Sequence, residues 1–231
     1  MRIDGLAKLT LLDYPEHLAC TLFFAGCDFR CPFCHNASLV THPKKEPAFK
    51  EEDILAFLKK RQGTLEGVCI TGGEASLQPD LIPFIEKVKA LGFLVKLDTN
   101  GYHPDVLRTL YQKHLLDYVA MDIKNSLPLY EKTAGLSGLD LSKITDSVAL
   151  IRTSDIPYEF RTTVVRELHT KDSFLQIGDW LHGSSRYYLQ AFKDSDDLIG
   201  GPFTGYEKET LLNFITLLKP HFEEIGLRGM D

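Results

Sequence analysis

The chain has 231 residues, of which 44% are hydrophobic and 25% charged, and a net charge of −6. That is enough apolar material for a substantial core, while the acidic balance argues against an electrostatic grip on nucleic acid or on an anionic membrane. The opening MRIDGLAKLTLLDYP lacks the layout of a signal peptide and no run reaches the length of a membrane span, so the expected setting is the cytosol, with one domain over residues 1–231.

Apolar runs and amphipathic runs take turns along the chain. LACTLFF (18–24) is a continuous apolar run of strand length, and KEEDILAFLKKRQ (50–62) spaces Ile54, Leu55, Phe57 and Leu58 as one helix face. GVCIT (67–71) then predicts a strand, and DLIPFIEKVKALG (80–92) a helix with a glycine where a C-terminal cap belongs. FLVKLDT (93–99) leads to HPDVLRTLYQKH, DYVAMDI (117–123) to DLSKITDSVALIRTS, and YEFRTTVV (158–165) to KDSFLQIGDWLH. RYYLQAF (186–192) is a sixth strand, KETLLNFITLLKP a last helix and EEIGLRG a short terminal strand candidate. Residues 125–139, with Pro128, Gly135 and Gly138, read as a surface loop. Regular alternation of this kind implies right-handed βαβ units and parallel strands with helices outside them, closed as a partial or full α/β barrel or left as an open doubly wound sheet.

In both architectures working residues gather at the C-terminal ends of strands. The first strand is followed by CDFRCPFCHN (27–36), the second by TGGE (71–74) and the third by DTNG (98–101), and MDIK (121–124) ends the fourth. Cys20 and Cys69 lie inside apolar runs and read as buried core thiols, which leaves Cys27, Cys31 and Cys34 as a cluster. A closed zinc site needs four ligands, and no second pair appears; His35 as the fourth would have to wrap onto the same ion as Cys34 beside it. A redox CxxC would use Cys31 and Cys34 but leave Cys27 without a purpose. An iron–sulfur reading gives three thiolates to a four-iron cluster and leaves one iron without a protein ligand, open for chemistry.

C-x3-C-x2-C after the first strand, Phe33 before the third cysteine and GGE after the second strand together resemble the radical S-adenosylmethionine (SAM) superfamily. The resemblance implies a partial (β/α)6 barrel of TIM type, a 4Fe–4S cluster on Cys27, Cys31 and Cys34, and SAM at the open iron, cleaved by one electron to methionine and a 5′-deoxyadenosyl radical. CHN, DTNG and MDIK resemble the activating enzymes of glycyl-radical proteins. GLAKLTLLDYPEHLACTLFFAGCDFRCPFCHN, with FRTTVV, YYLQAF and LRG, is similar to the activating proteins of anaerobic ribonucleoside-triphosphate reductase.

The resemblance places Phe33 near the adenine and gives Gly72, Gly73 and the Glu74 carboxylate to the SAM amino group. It assigns Asp98, Asp122 and Lys124 to the methionyl and ribose portions and, as in related activases, to a monovalent cation, and Arg161 to the SAM carboxylate. It implies as partners a glycyl-radical protein and a low-potential electron donor such as flavodoxin or ferredoxin. Some relatives carry a histidine at the end of the sixth strand where this chain has QAFK (190–193), so that ligand stays unassigned. Three alternatives stay open: activation of a pyruvate formate-lyase type enzyme, a small-molecule substrate, and a metal-stabilised interaction protein.

Overall fold

The computed structural model describes residues 1–42, 46–195 and 197–230. Its strands and helices are β1 (Ile3–Thr10), β2 (Ala19–Phe24), α1 (Ala37–Thr41), α2 (Glu51–Arg61), β3 (Gly67–Gly72), α3 (Leu81–Ala90), β4 (Leu94–Thr99) and α4 (Pro104–Gln112). There follow β5 (Tyr118–Asp122), α5 (Tyr130–Ala134), α6 (Leu141–Arg152), β6 (Tyr158–Val164), α7 (Lys171–Trp180), β7 (Ser184–Ala191), α8 (Lys208–Leu218) and β8 (Phe222–Arg228). The strand order is β1-β2-β3-β4-β5-β6-β7-β8. The fold is α/β, the parallel strands and outer helices of a partial TIM-type barrel, as expected. Among the described residues no helix is long and apolar enough to cross a membrane.

Backbone contacts divide the chain into two units, residues 1–28, 36–120 and 143–157 in the first and 29–35, 121–142 and 158–231 in the second. In the first, β1 pairs antiparallel with β2, while β2, β3 and β4 are parallel. One face of these strands is apolar throughout, with Leu22, Phe24, Val68, Ile70, Val95 and Leu97 all fully buried, while the other face buries Thr21, Cys69 and Lys96. α2 carries Glu51, Glu52 and Asp53 in its first turn and Lys59, Lys60 and Arg61 in its last, matching the helix dipole at both ends. Ile54 and Leu58 face inward from it. After α3 the chain reverses at Gly92, whose φ of +87° suits glycine.

In the second unit β6, β7 and β8 are parallel. Tyr187 of β7 stacks on Phe222 of β8, and Phe174 of α7 packs on Phe214 of α8. α7 begins with a reciprocal cap: the Thr170 hydroxyl accepts from Ser173 N and the Ser173 hydroxyl accepts from Thr170 N.

Two differences from the sequence reading have physical causes. No apolar run marks β1, because its residues are mostly half-exposed on an edge strand that beyond β2 meets an isolated bridge from Ile3 to Phe49. Residues 125–139 are not a surface loop but a 3-10 turn followed by α5, with Tyr130, Thr133 and Ala134 fully buried. Two of the residues that suggested a loop open the turn and cap the helix: Pro128 lies in the first turn of the 3-10 segment, and Gly135 ends α5 at φ +70°.

Candidate active site

In the first unit, the segment after β3 is fixed to the chain that leaves β2. Gly73 N donates to Phe24 O (2.7 Å) and Glu74 N to Gly26 O (2.8 Å). A Cβ on Gly73 would sit 2.0 Å from Gly26 O, and one on Gly72 would sit 2.3 Å from Phe24 N. These glycines therefore let the chain approach its own backbone closely.

Glu74 is fully buried. Its Oε1 accepts from Ser76 N (3.2 Å), the Ser76 hydroxyl (2.6 Å) and the Thr99 hydroxyl (2.9 Å), and Oε2 accepts from Asn100 N (2.6 Å). Burial pushes its pKa up, and the donors from Asn100, Ser76 and Thr99 work against that rise. The carboxylate thus ties the end of β3 to the end of β4.

Asn100 continues the network, its amide donating to Asp28 Oδ1 (2.8 Å) and lying 3.8 Å from Cys27 Sγ. The other Asp28 oxygen bonds His103 Nε2 at 2.9 Å. Asp98 is ion-paired with Lys96, two residues earlier on β4.

In the second unit, the segment carrying Cys31 and Cys34 is fastened by its backbone. Cys34 N donates to Cys31 O (3.0 Å), Arg30 N to Ala134 O (2.9 Å) and Gly200 N to Pro32 O (2.7 Å). A Cβ on Gly135 would come within 2.0 Å of Arg30 O, so the end of α5 closes on this segment with no room for a side chain. Burial pushes the Cys31 thiol up to about 11. Phe33 is buried, with its ring edge-on to His169 and Phe203.

At the end of β5, Asp122 pairs with Arg161 Nε (3.0 Å) and Lys124 Nζ (3.3 Å). Burial opposes its ionisation, but the two cations hold its pKa at about 2. Glu159, fully buried on β6, is clamped by Arg228 through two bonds of 2.7 and 2.8 Å. His169, also fully buried, accepts from Val165 N (3.1 Å) at Nδ1 and meets Lys124 O at Nε2 (2.8 Å), which identifies Nε2 as the protonated nitrogen. Burial lowers the His169 pKa, against the pull of its bonds to the Lys124 and Val165 backbone.

A cavity of about 450 Å³ opens at the ends of β6, β7 and β8, lined by His35, Thr163, Gln190, Lys193 and Arg228 among others. The sequence marked Gln190 and Lys193 as the place of an unassigned ligand; His35 turns its Nε2 to Lys193 O at 2.7 Å and stacks on Phe192. Asn100 lies within the DTNG motif but drew no role from it, and His103, Glu159 and His169 carry no sequence signal, since their significance lies in partners distant along the chain. Cys20 and Cys69 are fully buried, as predicted.

None of the five cysteines forms a disulfide. Among the described residues no three His, Cys, Asp or Glu side chains gather as ligands of one metal ion. A cluster does not require that convergence, because each thiolate takes a different iron, and soft sulfur donors on a tightly fastened segment fit a 4Fe–4S group. A monovalent cation fits less well, because Asp98 and Asp122 each already face a protein cation within their own unit.

The pattern of the Radical SAM superfamily matches residues 21–181. A Methanocaldococcus jannaschii protein named "Putative glycyl-radical enzyme activating enzyme" is 30% identical over 202 residues, 84% of this chain and 81% of that protein. The pyruvate formate-lyase-activating enzyme of Clostridium pasteurianum is 32% identical over 54% of this chain and 52% of its own length. Among solved structures, Streptococcus suis SuiB bound to S-adenosylmethionine superposes with a TM-score of 0.66 at 13% identity, over 90% of this chain and 52% of that one. The chain spans about half the length of these last two proteins.

Proposed function

We propose for this chain, which belongs to the radical SAM superfamily, the role of an activating enzyme that places a radical on a glycine of a partner protein. It is a radical SAM enzyme, and its cofactors are a 4Fe–4S cluster and SAM. The observation that carries the proposed role is the likeness to the M. jannaschii protein, which extends over 81% of that protein's length. The partner we favour is an anaerobic ribonucleoside-triphosphate reductase, on the resemblance of residues 5–36 to its activating proteins. The reaction belongs in the reducing cytosol, with flavodoxin or ferredoxin as electron donor.

When bound, the cluster and SAM supply one-electron cleavage of a sulfonium and, from it, the means to take a hydrogen atom from a glycine Cα. The protein's part is to hold and orient. Cys27, Cys31 and Cys34 hold the cluster, and the buried Cys31 must give up its proton on loading, so loading releases protons. Phe33 offers an apolar wall for the adenine. The backbone edge of Gly72 and Gly73 presents polar groups to the SAM amino group, while Glu74 keeps that edge in place through its four internal bonds. Asp98, Asp122 and Lys124 orient the methionyl and ribose portions, and Arg161, held by Asp122, faces the carboxylate.

The test is to reconstitute the cluster anaerobically, add SAM, a reductant and the candidate reductase, and record the electron paramagnetic resonance spectrum. A glycyl radical signal on the reductase is expected. 5′-Deoxyadenosine without that signal removes this partner, and no 5′-deoxyadenosine at all removes the reading. A second reading, activation of a pyruvate formate-lyase type protein, is favoured by the C. pasteurianum likeness and is tested in parallel with that lyase.

A further inference from the structure

Lys96 lies on β4 and is only 1% exposed, among the largest fully buried side chains of the protein. An ammonium taken out of water is unfavourable unless an anion meets it. Here the anion is Asp98, which lies two residues on and therefore on the same face of the strand. Soft groups lie beside it as well: Cys69 Sγ of β3 is 3.9 Å from the ammonium, and the Tyr118 ring 5.8 Å away. A diffusible cation on Asp98 would share one carboxylate with a lysine that has nowhere to retreat, and the two like charges would repel.

Taking the radical SAM reading as given, we propose that the Lys96 ammonium is the built-in counter-ion of Asp98. It replaces a diffusible monovalent cation and fixes the carboxylate for SAM, so that the enzyme binds SAM without potassium or sodium. Asp122 follows the same plan in its own unit, with Arg161 and Lys124 as its cations. Lys96 acts through Asp98 and is a positioning residue.

The experiment measures SAM binding to the cluster-reconstituted protein by equilibrium dialysis, in potassium chloride and in tetramethylammonium chloride at equal ionic strength. Wild-type affinity should agree between the salts within about twofold. Lys96→Met keeps much of the apolar stem and loses the charge. It should bind SAM on the order of tenfold more weakly in tetramethylammonium, with most of that loss restored by potassium. A lysine needed only for packing would give a variant that potassium does not rescue. Wild-type binding that collapses without potassium, or a folded Lys96→Met that ignores potassium, overturns the inference while leaving the proposed function standing. SAM binding in neither salt overturns both. The wild-type arm decides even where the variant is too unstable to assay.

Discussion

Gly73→Ala gives a sharp test of how the site is built. The new Cβ would lie 2.0 Å from Gly26 O and 2.8 Å from Gly26 C, whereas real Cβ contacts essentially never fall below 3.0 Å. One of the two backbones must therefore retreat by about 1 Å, and overpacking of that kind costs about 1–3 kcal/mol. The retreat also stretches the bonds from Gly73 N to Phe24 O and from Glu74 N to Gly26 O, each contributing about 1 kcal/mol. Together these give a loss of roughly 3–5 kcal/mol, a large share of the roughly 5–15 kcal/mol that stabilises an ordinary domain. The control is Gly63→Ala, where φ is +75° but no atom lies within 4 Å, so that only the backbone conformation resists; about 1 kcal/mol is expected there. Thermal melts of the cluster-free proteins compare them directly, and the Gly73 variant should melt roughly 6–20 °C below wild type. Equal melting points for the two variants would refute the close approach of the segment after β3 to Gly26.

Cys31→Ala should abolish the cluster's visible absorbance and all SAM cleavage while leaving the far-ultraviolet circular dichroism of the cluster-free protein unchanged; cleavage by the variant would remove Cys31 from the ligand set. Asp122 has a folded pKa of about 2, well below the usual carboxylate range, because Arg161 and Lys124 outweigh its burial. The stabilisation from such a depressed carboxylate is present above the unfolded pKa and lost as pH falls through the folded one. Wild type should therefore lose roughly 1–2 kcal/mol between about pH 4 and pH 2 that Asp122→Asn does not, and identical acid titrations by circular dichroism would contradict the pairing. Thr170→Ala removes the reciprocal cap of α7 and should lower stability by about 1 kcal/mol in urea titration; an unchanged midpoint would show that the cap contributes nothing.

The elements legible in the sequence are those whose surroundings are repetitive. β2 to β7 each carry a buried apolar set because sheet neighbours and helices cover them, and α2, α3 and α8 show their buried faces as a helical period. β1 is mostly half-exposed and leaves no comparable mark, and α5 is hidden behind Pro128 and Gly135, residues that serve as its punctuation. In the site, short spacing made the cysteines readable: three within eight residues limit the chemistry by themselves. Lys96 and His169 were unreadable for the opposite reason. A lysine in VKLDT resembles any solvated charge until Cys69 and Tyr118 are seen around it, and His169 gains its meaning from a carbonyl 45 residues away.

The buried Glu74 carboxylate also bears on motion. Ser76, Thr99 and Asn100 all lean on one pair of oxygens, so the loops after β3 and β4 have no independent way to open. A fluctuation that frees one must strand the carboxylate and release the other. The amide protons of Ser76 and Asn100 should therefore exchange with solvent at one shared rate, through a joint opening rather than as separate frayed ends.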